Sequence, residues 1–134
     1  VANSAENLSS KKKILIADDF ERIRELVAET LGYDQYQLLE SSNAAQAIEV
    51  AEREIPDIII MDVMMPGEID GVEATRILKN NVKTRNCYIV LLTAKGQAVD
   101  REKGLEAGAD CYFVKPFSPI ELIDKVEEIL KNQN

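Results

Sequence analysis

The chain has 134 residues, 46% of them hydrophobic and 30% charged, and carries a formal net charge of −8. That length fits one domain with its own core and leaves no room for a second of ordinary size. The acidic balance argues against direct nucleic-acid binding by this chain, which needs a basic face, and no apolar run approaches the roughly 20 residues of a membrane-spanning helix.

Residues 1–10 form a polar tail without the apolar centre of a signal peptide, so a cytoplasmic domain spanning 11–134 is expected. Ile14-Leu15-Ile16-Ala17, bounded by Lys11-Lys12-Lys13 and by Asp18-Asp19, reads as a strand buried on both faces. Ile23, Leu26, Val27, Thr30 and Leu31 then recur at helical spacing, with Gly32 as the stop. A weaker strand covers Tyr36 to Glu40, and Asn43-x-x-Gln46 resembles a capping box opening an alanine-rich helix that ends before Pro56. Ile58-Ile59-Ile60-Met61 is the clearest strand signal, again terminated by an acid, Asp62.

Past the turn residues Pro66-Gly67 and Asp70-Gly71, Asp70-x-x-Glu73 caps a helix carrying Val72, Ile77 and Leu78. Tyr88 to Leu92 is the fourth strand, ending at Thr93, and a helix through Val99, Leu105 and Ala107 closes at Gly108. Cys111 to Val114 is the fifth strand, ending at Lys115-Pro116. Ser118-Pro119-Ile120-Glu121 reads as a capping box with proline at the first helical position, and the last helix buries Leu122, Val126, Ile129 and Leu130. Short continuous strands alternating with amphipathic helices imply a parallel α/β sheet covered on both faces. Cys87 and Cys111 match no metal spacing and read as reduced, part-buried thiols.

Four of the five strands end, at their carboxyl side, in a residue able to handle phosphate or metal: Asp18-Asp19, Asp62, Thr93 and Lys115. Ligands of parallel α/β sheets bind at those ends, near the point where strand order reverses. In the order 2-1-3-4-5 the first and third strands are neighbours, which brings Asp18, Asp19 and Asp62 together. Like charges that close raise one another's pKa, so the cluster must keep a proton or bind a cation, and Mg²⁺ suits a few carboxylates with water ligands and a phosphoryl oxygen. A carboxylate can serve as a covalent nucleophile toward phosphorus. Lys115 supplies an opposing positive charge, and the Thr93 hydroxyl is a ready donor.

Taken in order, Asp18-Asp19, Asp62-Val63-Met64-Met65-Pro66, Asp70-Gly71, Thr93-Ala94, Gly108-Ala109-Asp110 and Lys115-Pro116-Phe117 resemble the receiver domain of bacterial two-component response regulators, from about Lys12 to Lys131. The resemblance implies a flavodoxin-like (βα)5 doubly wound parallel sheet with strand order 2-1-3-4-5. It further implies that Asp62 is the phosphoacceptor and that Asp18, Asp19, Asp62 and the backbone carbonyl of Met64 hold Mg²⁺. Thr93 is then the switch hydroxyl, Tyr112 the aromatic rotamer switch, and the Lys115–Pro116 bond is cis. The loop from Pro66 to Gly71 is about one residue longer than the usual family turn. Met64 and Lys95 occupy positions that tune phosphate lifetime in the family, and an apolar side chain at Met64 cannot orient an attacking water, so slow self-dephosphorylation is expected.

With no histidine and no Gly-x-x-x-x-Gly-Lys loop, the chain depends on a partner for its phosphoryl group. That partner is expected to be a sensor histidine kinase or a histidine phosphotransfer protein, with an unidentified downstream protein target. The domain is not expected to be an enzyme apart from promoting its own phosphorylation and hydrolysis. Two other classes fit less well. A phosphorylation-independent docking module would tolerate loss of the acids or of Lys115, all of which are present. An aspartate-nucleophile phosphatase would want a second acid where Met64 stands, and a flavin carrier a hydroxyl- or glycine-rich loop where Asp18-Asp19 stand. Whether the domain acts alone or within a longer regulator or hybrid kinase stays open.

Overall fold

The computed structural model describes residues 11–94 and 98–133. Strands β1 (Lys12–Ala17), β2 (Tyr36–Ser41), β3 (Ile58–Asp62), β4 (Tyr88–Ala94) and β5 (Cys111–Lys115) alternate with helices α1 (Glu21–Leu31), α2 (Ala44–Glu54), α3 (Gly71–Lys79), α4 (Ala98–Ala107) and α5 (Pro119–Asn132). All strand pairs are parallel and the order is β2-β1-β3-β4-β5, the flavodoxin-like arrangement expected. The polar tail and the expectation attached to Lys95 lie outside the described residues.

Period-two alternation divides the strand residues between two cores. Leu15, Ala17, Ile59, Met61, Ile89 and Leu91 face α2 and α3 and pack with Ala47, Ala51, Ala74 and Leu78. Ile14, Ile16, Ile58, Ile60, Val90 and Leu92 face the other way and pack with Val27, Leu31, Leu122, Val126 and Ile129. Each fully buried isoleucine or leucine contributes roughly 1.5–3 kcal/mol by leaving water, and this accounts for the continuous apolar runs of the central strands β1, β3 and β4, whose inner residues are buried on both faces.

Local signals set most helix ends. Asn43 accepts from the Gln46 N–H (2.8 Å) and Asp70 from the Glu73 N–H (2.9 Å), both as expected of N-caps. The Gln46 side chain reaches back to the Ser42 N–H rather than to Asn43, so the box is offset by one residue. Gly32 ends α1 at φ 95°, a left-handed conformation for which glycine carries no Cβ penalty. Ile55 ends α2 at φ 47°, where a β-branched side chain is strained.

One expectation needs correction, and one expected helix forms as read but buries a face other than its large apolar residues. Ser118 occupies the N-cap of α5, but its hydroxyl makes no capping bond; the first turn is closed by Leu122 N–H donating to the Ser118 carbonyl. Pro119 already fixes the turn and removes one orphan N–H, so the helix start does not rest on the hydroxyl. In α4, Val99 is 60% exposed and Leu105 48% exposed, and the buried positions are Gly104 and Ala107. A Cβ on Gly104 would stand 2.3 Å from Leu91 Cδ1, so this helix sits on β4 through close approach of its backbone and not through an apolar stripe.

The loop after β3 is anchored: Gly67 takes a positive φ and Ile69 packs back against the α2–α3 core. Among the described residues, no helix is long and apolar enough to cross a membrane. With all strands parallel, Ala17, Asp62, Ala94 and Lys115 end at one edge of the sheet, and the candidate site lies there.

Candidate functional site

β1 continues one step beyond its last residue, because the Asp18 N–H donates to the Ser41 carbonyl (3.1 Å) of β2. That bond fixes Asp18 at the sheet edge with its carboxylate fully buried. Asp18 Oδ1 accepts the Phe20 N–H (3.0 Å) and Asp62 Oδ1 accepts the Met64 N–H (3.3 Å). Both are Asx-turns, in which an aspartate at a strand end turns the chain with its own side chain. Arg24 donates to the Asp18 carbonyl (2.7 Å) and pairs with Glu40 (2.9 Å), tying α1 and β2 to the same corner.

Lys115, the last residue of β5, reaches across β4. Its Nζ donates to Asp18 Oδ2 at 3.0 Å and stands 3.4 Å from Asp62 Oδ1. Carboxylate oxygens of Asp18, Asp19 and Asp62 lie within 4.8 Å of one another. The expected convergence of the three acids and Lys115 is therefore observed. The Lys115–Pro116 bond is cis, as expected.

The electrostatics follow from this crowding. Asp62 is only 5% exposed. Burial first, and the neighbouring Asp18 charge second, push its pKa up from the ordinary 3.8 to about 6, against the pull of Lys115 and the Met64 N–H. Burial works against the Lys115 ammonium, but its hydrogen bond to Asp18 and the charges of Asp62 and Asp18 outweigh that effect and hold it protonated.

The residues fit a hard divalent cation. Asp19 Oδ1 is buried and has no hydrogen-bond partner, an arrangement that costs about 1–3 kcal/mol unless something else satisfies it. It belongs to the all-oxygen cluster of Asp18, Asp19 and Asp62, a donor set suited to Mg²⁺ and poor for softer metals. Met64 contributes the N–H described above, while its side chain points to solvent.

Thr93 is buried at the end of β4 and its hydroxyl donates to the Phe113 carbonyl on β5 (3.4 Å). Tyr112 on edge strand β5 is 37% exposed, with the Arg101 guanidinium of α4 5.3 Å from the centre of its ring. Sequence reasoning overlooked four participants, one of them the Arg24 bond to the Asp18 carbonyl. The Met64 N–H and the Phe20 N–H were legible as Asx-turn donors two residues after an acid. The Arg101 contact joins separate elements and has no local signal.

Comparison with known proteins points one way. The sequence model of the response regulator receiver domain matches residues 14–127. The phosphate regulon transcriptional regulatory protein PhoB of Pseudomonas aeruginosa is 43% identical over 120 residues, covering 90% of this chain and 52% of that protein. The chain thus spans about half the length of the curated relatives it matches. Among solved structures, the signal receiver domain of a signal transduction histidine kinase from Syntrophus aciditrophicus superposes with a TM-score of 0.83 at 32% identity, covering 90% of this chain and 91% of that one. The chemotaxis response regulator CheY4 of Vibrio cholerae does so with a TM-score of 0.81 at 28% identity, covering 90% and 99%.

Proposed function

The chain belongs to the response regulator receiver domain family, and from that premise we propose that Asp62 accepts a phosphoryl group from a partner's phosphohistidine in a two-component relay. The observation that carries this is one buried carboxylate, Asp62, flanked by two more and faced by a single ammonium, Lys115. In the transfer an Asp62 carboxylate oxygen forms a bond to phosphorus as the phosphorus–nitrogen bond breaks, and the leaving imidazole takes a proton from solvent. Lys115 moves its Nζ contact from Asp62 to a phosphoryl oxygen, and the Thr93 hydroxyl exchanges the Phe113 carbonyl for another.

Asp18, Asp19, Asp62 and the Met64 carbonyl hold Mg²⁺ in this reading, and the bound cation supplies charge neutralisation for an anionic donor. Positioning dominates such chemistry, so the rigid Asx-turns matter as much as the charges. The domain promotes its own phosphorylation and hydrolysis and turns over no outside substrate.

The surroundings suit a protein donor with an apolar contact surface. Phe20 and Leu26 are exposed, and Ile23, Leu26, Ala94, Pro116 and Phe117 line a shallow apolar hollow beside Lys115. A sensor histidine kinase or histidine phosphotransfer protein docked there presents its imidazole to Asp62. A cytoplasmic setting goes with the free thiols of Cys87 and Cys111. Output passes through the face of α4, β5 and α5 to a downstream protein, and the acidic charge argues against direct nucleic-acid contact by this domain.

The test is intact-mass analysis of the wild type and Asp62→Ala after incubation with acetyl phosphate and Mg²⁺. One phosphoryl group gained by the wild type alone supports the reading. No gain in either, with Mg²⁺ binding demonstrated, indicates a docking module that works without phosphorylation. A gain in both assigns the chemistry to another residue.

A further inference from the structure

The strand register puts Leu91, Thr93, Tyr112 and Val114 on one side of the sheet, because Leu91 pairs with Tyr112, Thr93 pairs with Val114, and side chains alternate along each strand. That is the side on which α4 packs. Gly104 lets α4 approach β4 so closely that a Cβ there would meet Leu91 Cδ1 at 2.3 Å. Arg101 lies one turn earlier, on the same face of the helix as Gly104. The close approach therefore delivers the Arg101 guanidinium to the Tyr112 ring, 5.3 Å from its centre.

Arg101 is half-buried, and among the described residues no carboxylate lies within ion-pair distance of it. Its neighbour is the ring. In the same conformation the Thr93 hydroxyl is engaged with the Phe113 carbonyl, next in sequence to Tyr112. One resting arrangement thus joins Thr93, β5, Tyr112 and Arg101.

We propose that Arg101 is a positioning residue of the switch: stacked on Tyr112, it holds the ring at the surface and biases the domain toward its unphosphorylated conformation. The proposal rests on the phosphoryl-accepting reading above. The rotamer-switch role that the family resemblance implies for Tyr112 has the ring leave Arg101 on phosphorylation, so a phosphoryl mimic must first break this stack and its apparent affinity is reduced by the population the stack withholds. A cation–π contact at a part-exposed site corresponds to about a two- to five-fold bias. Lysine offers a weaker version of the contact and glutamine none.

The experiment is an NMR titration of Mg²⁺-loaded protein with beryllofluoride, a phosphoryl mimic, in the wild type, Arg101→Lys and Arg101→Gln, repeated in a Tyr112→Leu background. Melting temperatures verify the fold of each variant. The expected result is apparent affinity about two- to five-fold tighter for Arg101→Gln, an intermediate value for Arg101→Lys, and no effect of either substitution once Tyr112 is leucine. Unchanged or weaker binding by Arg101→Gln, equal effects of lysine and glutamine, or a gain that survives in Tyr112→Leu overturns the proposal. Failure of the wild type to bind beryllofluoride at all refutes the phosphoryl-accepting reading itself and is told apart on the first titration.

Discussion

Replacing Asp62 by asparagine should stabilise the metal-free domain, although it removes the residue on which the function depends. Asp62 in the folded chain keeps its proton up to about pH 6, whereas the unfolded chain releases it near 3.8. Between those values the folded state binds more protons, so stability falls as pH rises through that window and the penalty is complete at pH 7. A difference of about 2 pKa units corresponds to about 3 kcal/mol. Asparagine keeps the shape and an oxygen for the Met64 N–H but carries no charge. The loss of the Lys115 contact is already contained in the net shift, because Lys115 lowers the Asp62 pKa and burial with Asp18 overrides it. For a domain of this size the gain amounts to roughly 10 °C in melting temperature. Thermal unfolding in EDTA at pH 7 and at pH 4 reads it directly. The variant should exceed the wild type at pH 7, with the difference shrinking toward pH 4 and also when Mg²⁺ is added. A variant no more stable than the wild type at pH 7, or a gain independent of pH, would refute the electrostatic account of the cluster.

Lys115→Ala should slow phosphorylation by acetyl phosphate on the order of 100-fold, the usual cost of losing one preorganised donor, while Mg²⁺ affinity measured by calorimetry is kept or rises. An unchanged rate would remove Lys115 from the chemistry. Ile55→Asn should raise stability by about 1 kcal/mol in urea unfolding, since φ 47° suits asparagine and strains a β-branched side chain. The phosphorylated domain, freed of donor and followed by intact mass, should lose its phosphoryl group over minutes or longer because the exposed Met64 side chain cannot orient water; a half-life of seconds would contradict this.

Much of the site was legible because four of the five strands are apolar runs that a polar residue ends abruptly. Asp18, Asp62, Thr93 and Lys115 mark the carboxyl edge of the sheet in the sequence itself, and parallel topology does the rest. The helices were read less well where their burial is not a matter of side-chain size. Val99 and Leu105 have the apolar character of core residues, yet α4 buries Gly104 and Ala107, because a missing Cβ at Gly104 permits a contact with Leu91 that no hydrophobic pattern announces. Ser118 carries a capping signature, but Pro119 beside it makes the hydroxyl dispensable. Contacts between elements, such as Arg101 on Tyr112 or Arg24 on the Asp18 carbonyl, depend on how two helices settle on the sheet and leave no local trace.

The most direct test of the central claim is to trap the acyl phosphate with borohydride after treatment with acetyl phosphate and Mg²⁺, then locate the reduced residue by peptide mass spectrometry. Modification is expected at Asp62 alone and is abolished by EDTA. Modification at Asp18, Asp19 or any other carboxylate while Asp62 stays intact would contradict it.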